Sequence, residues 1–326
     1  MDILTLVPDL KAPSCRFRVL QYVKPLGARG LNLVVAELPK EREDRRKLFR
    51  SSADFDAVFL HRKPLSRFDY GLLRKTARRL IYDFDDAVMF RDSNASRLDS
   101  RRREVRFRRL AAGADLVLAG NSYLSKLAEP FSHKVISLPT VIDLTSYPSS
   151  PGRGKGEVIG WMGSKSNFVY LDLLREVLPA LLERQPGCRL RVVSDGEYFL
   201  SGSPAANKKW TLSGEVKDLL DFDLGIMPLK DDAWSRGKCA FKIIQYFAAF
   251  LPVVCSPVGT NREVVEEGVS GYFARNREEW IERIAELLSS PKKREEMGRA
   301  GRRLVEEKYS LAVMVPTLVE AIKSVL

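Results

Sequence analysis

The sequence predicts an α/β protein built from two doubly wound parallel-sheet domains. Three observations carry this. Short apolar runs alternate with helical patterns, the alternation breaks at one Ser/Pro/Gly-rich stretch, and it then restarts. The chain is also long enough for two cores, since 326 residues with 45% hydrophobic and 29% charged content suit about two ordinary domains.

In the first half, "ILTLV" (3–7), "LNLVVAEL" (31–38), "DAVFLH" (56–61), "LIYDF" (80–84), "ADLVLAG" (114–120) and "KVISLP" (134–139) read as strands. A strand buried on both faces is a nearly continuous apolar run, as parallel sheets covered by helices require. Helical patterns over 17–26, 68–79 and 122–131 lie between them. "SYPSSPGRGKGE" (146–157) has the composition of a linker. Beyond it come strands at 158–163, 189–194, 223–229, 252–256 and 271–274, with helices over 170–184 and 238–250. The expected division is 1–148, 149–310, and a last helix over 311–326 that crosses back to the first domain. Ligands of such sheets sit at the carboxyl ends of the strands, and two facing domains make the cleft between them the default site.

The charge is uneven. Residues 1–150 hold 28 Lys and Arg against 18 Asp and Glu, whereas 151–326 hold 26 against 24. Nearly all of the net +12 therefore lies in the first half, which points to an anionic partner there. Cys15, Cys188, Cys239 and Cys255 form no CxxC pair and lie far in sequence from His61 and His133, so neither a zinc site nor a disulfide framework is signalled. A reduced, cytoplasmic location is the simpler expectation. The N-terminus lacks a signal-peptide pattern, and no run of about 18 apolar residues exists, so any membrane contact is expected to be peripheral.

Three strand-to-helix turns of the second half carry candidate chemistry. In "GWMGSKSN" (160–167), Gly163 permits close backbone approach, while Ser164 and Lys165 offer donors to phosphate; a plain turn is the competing reading. Lys238 and Lys242 are four residues apart in an otherwise apolar helical pattern, so on a helix they share a face at its start, where an anion is favoured. In "SPVGTNREVV" (256–265), Gly259, Thr260 and Asn261 offer backbone and side-chain donors, or Asn261 only caps a helix.

The segment "FKIIQYFAAFLPVVCSPVGTNREVVEEGVSGYFA" resembles the donor-binding segment of family-four glycosyltransferases, through Pro252-Val253-Val254, Gly259, Glu263, and Gly268 with Gly271. The likeness extends to "YDFDDAV" and to "AGNSYLSKLA" followed by "LPTVID". It implies the twin-Rossmann GT-B fold and sugar transfer from a nucleotide-diphosphate-sugar with retention of configuration. It implies no tightly bound cofactor and no metal. Gln245 stands where the family carries its second donor-site glutamate, and the first falls at Gly237. Phe250 replaces a family glycine. Lys238 and Lys242 are then the substitutes for a missing basic pair, and Gln245 can both accept from and donate to a ribose hydroxyl.

In the first half, Arg16 and Arg18 follow the first strand and are candidates for the diphosphate, or are a surface pair. His61 can position a sugar hydroxyl, or be structural. Asp83, Asp85 and Asp86 end a strand and can bind acceptor hydroxyls or act as a base, with Asp85 the candidate; a divalent metal, which the resemblance argues against, and a helix cap are the competing readings. The run 97–110 has seven arginines against Asp99 and Glu104. It reads as a solvated helix or as adhesion to anionic lipid at the inner face of the membrane. Nucleic acid ranks below lipid, because no binding module or stacking platform accompanies the arginines. The expectation is a retaining glycosyltransferase acting on a glycan or lipid-linked acceptor. The alternative is a GT-B protein that binds nucleotide-sugar or glycan without turnover.

Overall fold

The computed structural model describes residues 1–152, 154–200 and 205–326; Arg153, within the expected linker, lies outside them. The chain divides into two compact units. The first comprises Met1–Val141, Arg236–Cys239 and Leu311–Leu326, and the second Ile142–Ser235 and Ala240–Ser310.

In the first unit β1 (Asp2–Val7), β2 (Asn32–Glu37), β3 (Ala57–His61), β4 (Leu80–Phe84), β5 (Leu116–Ala119) and β6 (Val135–Ser137) form one sheet in the order β2-β1-β3-β4-β5-β6. Every neighbouring pair is parallel. Successive side chains of a strand face opposite sides, and the two sides of this sheet differ. Ile3, Phe59, Ile81 and Leu118 pack with Val19, Tyr22 and Leu26, and with Val315, Leu318 and Ile322 of the Leu311–Lys323 helix. On the opposite side Tyr82 and Phe84 stack at 5.3 Å, and Phe107 of the Arg101–Gly113 helix meets Phe84 edge-on at 5.2 Å.

In the second unit β7 (Val158–Met162), β8 (Arg189–Ser194), β9 (Ala205–Lys209), β10 (Leu224–Met227), β11 (Val253–Cys255) and β12 (Gly271–Phe273) lie in the order β12-β11-β10-β7-β8-β9. This sheet is also wholly parallel. Its core joins Ile159, Trp161, Val192 and Ile226 to Leu178, Leu181, Ile284 and Leu288 of the flanking helices.

Three differences from the sequence reading have physical causes. β9 has the sequence Ala-Ala-Asn-Lys-Lys and carries no apolar run; as an edge strand it has one neighbour and half-buried to exposed side chains, so it needs none. The stretch 146–157 has a linker's composition but is tied down. Asp223 accepts the backbone N–H groups of Gly156, Glu157 and Val158 at 2.8–2.9 Å. Arg302 also donates to the Pro148 carbonyl and Arg294 to that of Gly154. Finally, the helix expected over 238–250 runs only over Phe241–Ala248. Ala240, which precedes it, is left-handed at φ 50°, and Phe250, which follows, is left-handed at φ 59°.

Candidate functional site

The strand order of the second unit reverses between β7 and β10: the chain runs outward through β8 and β9, then returns to the other side of β7. Open parallel sheets bind ligands outside the carboxyl ends of their strands at such a point. Gly163 follows β7 there, and its backbone N–H donates to Val193. A β-carbon at Gly163 would lie 2.6 Å from Lys242 Cε and 2.8 Å from the Trp161 ring, so only glycine lets the Lys242 side chain lie across this turn. The Lys242 ammonium sits 5.4 Å from the Trp161 ring centroid, a cation–π distance. Two motifs almost 80 residues apart in sequence are thus brought together.

The other turn donors are partly engaged. Lys165 N–H donates to Asp195 Oδ1 at 2.6 Å, and Ser164 Oγ accepts from Asn167 Nδ2 at 2.7 Å. Beyond β11, Gly259 is left-handed at φ 52°. Thr260 Oγ1 is buried without a hydrogen-bond partner among the described residues. Asn261 is buried, and its Nδ2 donates to the Ser256 carbonyl at 2.9 Å, which closes the turn from within. Glu263 is exposed, and Gln245 is 6% exposed on the Phe241–Ala248 helix.

Lys238 requires a correction. It does not share a helical face with Lys242, because it lies three residues before the helix, beyond the left-handed Ala240. It belongs to the first unit, within the segment Arg236–Cys239. In sequence the apolar Cys239 and Ala240 continue the helical pattern, but the helix begins only at Phe241. Cys239 is apolar because it is buried: its thiol donates to the Asp85 carbonyl at 3.1 Å.

In the first unit the strand order reverses between β1 and β3, and Arg18, in the helical stretch that follows β1, reaches Asp83 near the end of β4. Arg18 is not a surface residue. It is buried in an ion pair with Asp83, and its Nη1 donates to the Leu138 carbonyl. His61 Nδ1 donates at 2.6 Å to Asp83 Oδ2, which also accepts from Arg18 Nε at 3.3 Å. Burial alone would raise the Asp83 carboxyl, but the Arg18 charge and the His61 bond outweigh it and hold the group below the usual carboxylate range. His61 is 0% exposed, and its Nε2 is buried without a hydrogen-bond partner among the described residues. Arg16 is half-buried, its guanidinium 4.0 Å over the Phe17 ring. Asp85 is engaged with Arg62 Nε at 3.4 Å, and Asp86 pairs with the same guanidinium.

Arg62 and Asn121 escaped the sequence reading. Arg62 directly follows β3 and Asn121 stands two residues beyond β5, so position near a strand's carboxyl end was the available signal. Among the described residues no three His, Cys, Asp or Glu side chains are grouped to hold a metal ion.

Two parallel Rossmann-like sheets in one chain define the GT-B fold. Comparison with known proteins agrees. Sucrose-phosphate synthase from Thermosynechococcus elongatus superposes with a TM-score of 0.77 at 12% identity, covering 99% of this chain and 98% of that one. The Anabaena protein HepE, solved with UDP-glucose, gives 0.73 at 14% identity over 99% and 100% of the two chains. At such identities the likeness is one of fold. Residues 156–290 match the family model of glycosyl transferases group 1. Spore coat protein SA of Bacillus subtilis (strain 168) is 45% identical over 65 residues, which span 19% of this chain and 17% of that protein.

Proposed function

We propose that the protein is a glycosyltransferase that moves a sugar from a nucleotide-diphosphate-sugar to a glycan or lipid-linked acceptor, with retention of configuration. The observation that carries this is the meeting of Lys242 with the Gly163 turn at the β7/β10 switch point, inside the region that matches glycosyl transferases group 1. The HepE complex with UDP-glucose supports a nucleotide-sugar donor. In this reading Lys242 and Lys238, with Thr260, the Gly259 backbone and the Ser164–Lys165 turn, hold the diphosphate. The ammonium groups stabilise the charge that develops on the leaving group. Gln245 and Glu263 are assigned to the nucleoside, and Arg16 is a further candidate for the diphosphate. Asp85, tethered by Arg62, serves the acceptor side, and His61 acts through Asp83 to hold the Arg62 turn.

A lipid-linked acceptor at an anionic membrane surface is supported by three helices. Arg42–Ser51 packs on Arg67–Thr76, which packs on Arg101–Gly113. Together they carry fourteen basic and four acidic residues. Phe68 is 76% exposed among them, with the Arg42 guanidinium 5.9 Å above its ring, and Val105 is 44% exposed. Burial and the neighbouring Arg102 and Arg109 lower the Arg106 pKa, the mark of cations crowded against one another. Among the described residues no helix is long and apolar enough to cross a membrane.

The second reading, a GT-B protein that binds nucleotide-sugar without turnover, is favoured by the neutral Gln245 at a position where the resembling family has a carboxylate. A thermal-shift panel of nucleoside diphosphates and nucleotide-sugars, followed by assay of slow donor hydrolysis, tests both. Stabilisation with hydrolysis supports the transferase; stabilisation without it supports the second reading; no stabilisation by any member overturns both. In the active protein Lys242→Ala should lower kcat/KM by at least about tenfold, or ~1.4 kcal/mol, and wild-type kinetics would remove Lys242 from the site.

A further inference from the structure

The segment Arg236–Cys239 is embedded in the first unit, although the chain on both sides of it belongs to the second. Three contacts embed it. Asn121 Nδ2 donates to the Gly237 carbonyl at 3.0 Å and to the Lys238 carbonyl at 3.3 Å. The Cys239 thiol donates to the Asp85 carbonyl; burial, then Asp85, raises its pKa, so it stays a protonated donor. Gly237 lies against the turn after β4: a β-carbon there would be 2.6 Å from Ala87 Cβ and 3.0 Å from the Ala87 nitrogen. Gly120 is equally confined, 2.4 Å from Cys239 Sγ and 2.9 Å from Asp85 Cα by the same measure.

Asn121 divides its amide between two tasks. Its Oδ1 accepts from Leu124 N–H at 2.8 Å and caps the Ser122–Ala128 helix, while its NH₂ holds the two carbonyls. A cap needs only an acceptor oxygen, which Ser or Asp supplies as well. The amide donor is therefore unexplained by the helix and explained by the segment it holds.

We propose that Asn121 is a positioning residue for Lys238: it fixes the Gly237–Lys238 backbone and so sets where the Lys238 ammonium stands. The inference rests on the reading of Lys238 as a diphosphate-binding cation. It also accounts for an asparagine that is buried just beyond the carboxyl end of β5.

Asn121→Ser keeps a capping oxygen and is too short to reach the carbonyls; Asn121→Asp keeps the cap and offers only acceptors. Well below the melting temperature, both should be cut by trypsin after Arg236 or Lys238 about fivefold faster than wild type, as expected when about one net hydrogen bond is lost from a local opening equilibrium. Cleavage at the wild-type rate in both overturns the hold. The second arm is a double-mutant cycle on UDP affinity. Asn121→Ser should weaken UDP binding about fivefold, and adding it to Lys238→Ala should change affinity by less than about twofold. Additive losses overturn the positioning role, because Asn121 then acts other than through Lys238. A wild type that binds no UDP, or a Lys238→Ala variant of unchanged affinity, overturns instead the donor-site reading beneath it.

Discussion

Asp83 lies wholly out of water, where a lone carboxylate would take up a proton. It stays ionised because Arg18 and His61 both donate to it. Since its pKa is depressed in the folded protein, its stabilisation is fully present above the ordinary value of 3.8 and is lost as the pH falls toward the lower folded value. Asp83→Asn leaves Arg18 buried without its counter-charge and should cost about 3–5 kcal/mol at pH 7. Urea unfolding from pH 7 down to pH 2.5 should show this gap narrowing below 3.8; a constant gap would mean that the carboxylate charge is not what stabilises the site. Phe250 makes a second point at this scale. The resembling family has glycine there, and the position is left-handed, which glycine adopts without strain. Phe250 bears that strain with its ring 5.0 Å from the Arg302 guanidinium, a contact glycine cannot make.

Among the elements, strands were the most legible. β1, β3, β4, β8 and β11 all fall within the apolar runs or within one residue of them, because a strand buried on both faces must be apolar throughout. Helix limits were less legible. Gly237, Lys238 and Cys239 continue the pattern of the Phe241–Ala248 helix, and nothing local announces that Ala240 turns left-handed. The Arg101–Gly113 helix was legible as a helix with sparse apolar anchors. That it lies in a row with two other basic helices and Phe68 was not, since their adjacency is set by the sheet. Reversing Arg101, Arg102 and Arg103 to Glu should reduce binding to vesicles rich in anionic phospholipid and leave binding to neutral vesicles unchanged, measured by co-sedimentation at low and high salt. Unaltered binding to the anionic vesicles would leave the arginines as a solvated face.

For the whole molecule, the path of the chain matters most. It leaves the first unit after Val141, returns for Arg236–Cys239, and returns again at Leu311. The Leu311–Lys323 helix supplies Val315, Leu318 and Ile322 to the core that also holds Ile3 and Phe59 of β1 and β3, so the first unit is completed by the last residues of the chain. Leu318→Ala should therefore destabilise that unit by about 2–5 kcal/mol. Calorimetry and chemical denaturation are the measure, with the added sign that the units separate into two transitions as the first weakens. A loss below about 0.5 kcal/mol would match a surface site and contradict the burial.

The amino-acid sequence by itself determined the two sheets, their parallel class, and the strand-to-helix turns of the second unit. Those follow from local rules: apolar period, turn composition and the chemistry of free N–H groups at strand-to-helix turns. The tertiary structure alone decided which turns meet. It set Lys242 across Gly163, removed Lys238 to the first unit, buried Arg18 and His61 on Asp83, and gave Asn121 a second bond to make. Each of these depends on strand order and on close approach between residues about 20 to 120 positions apart, and no pattern read along the chain encodes that distance.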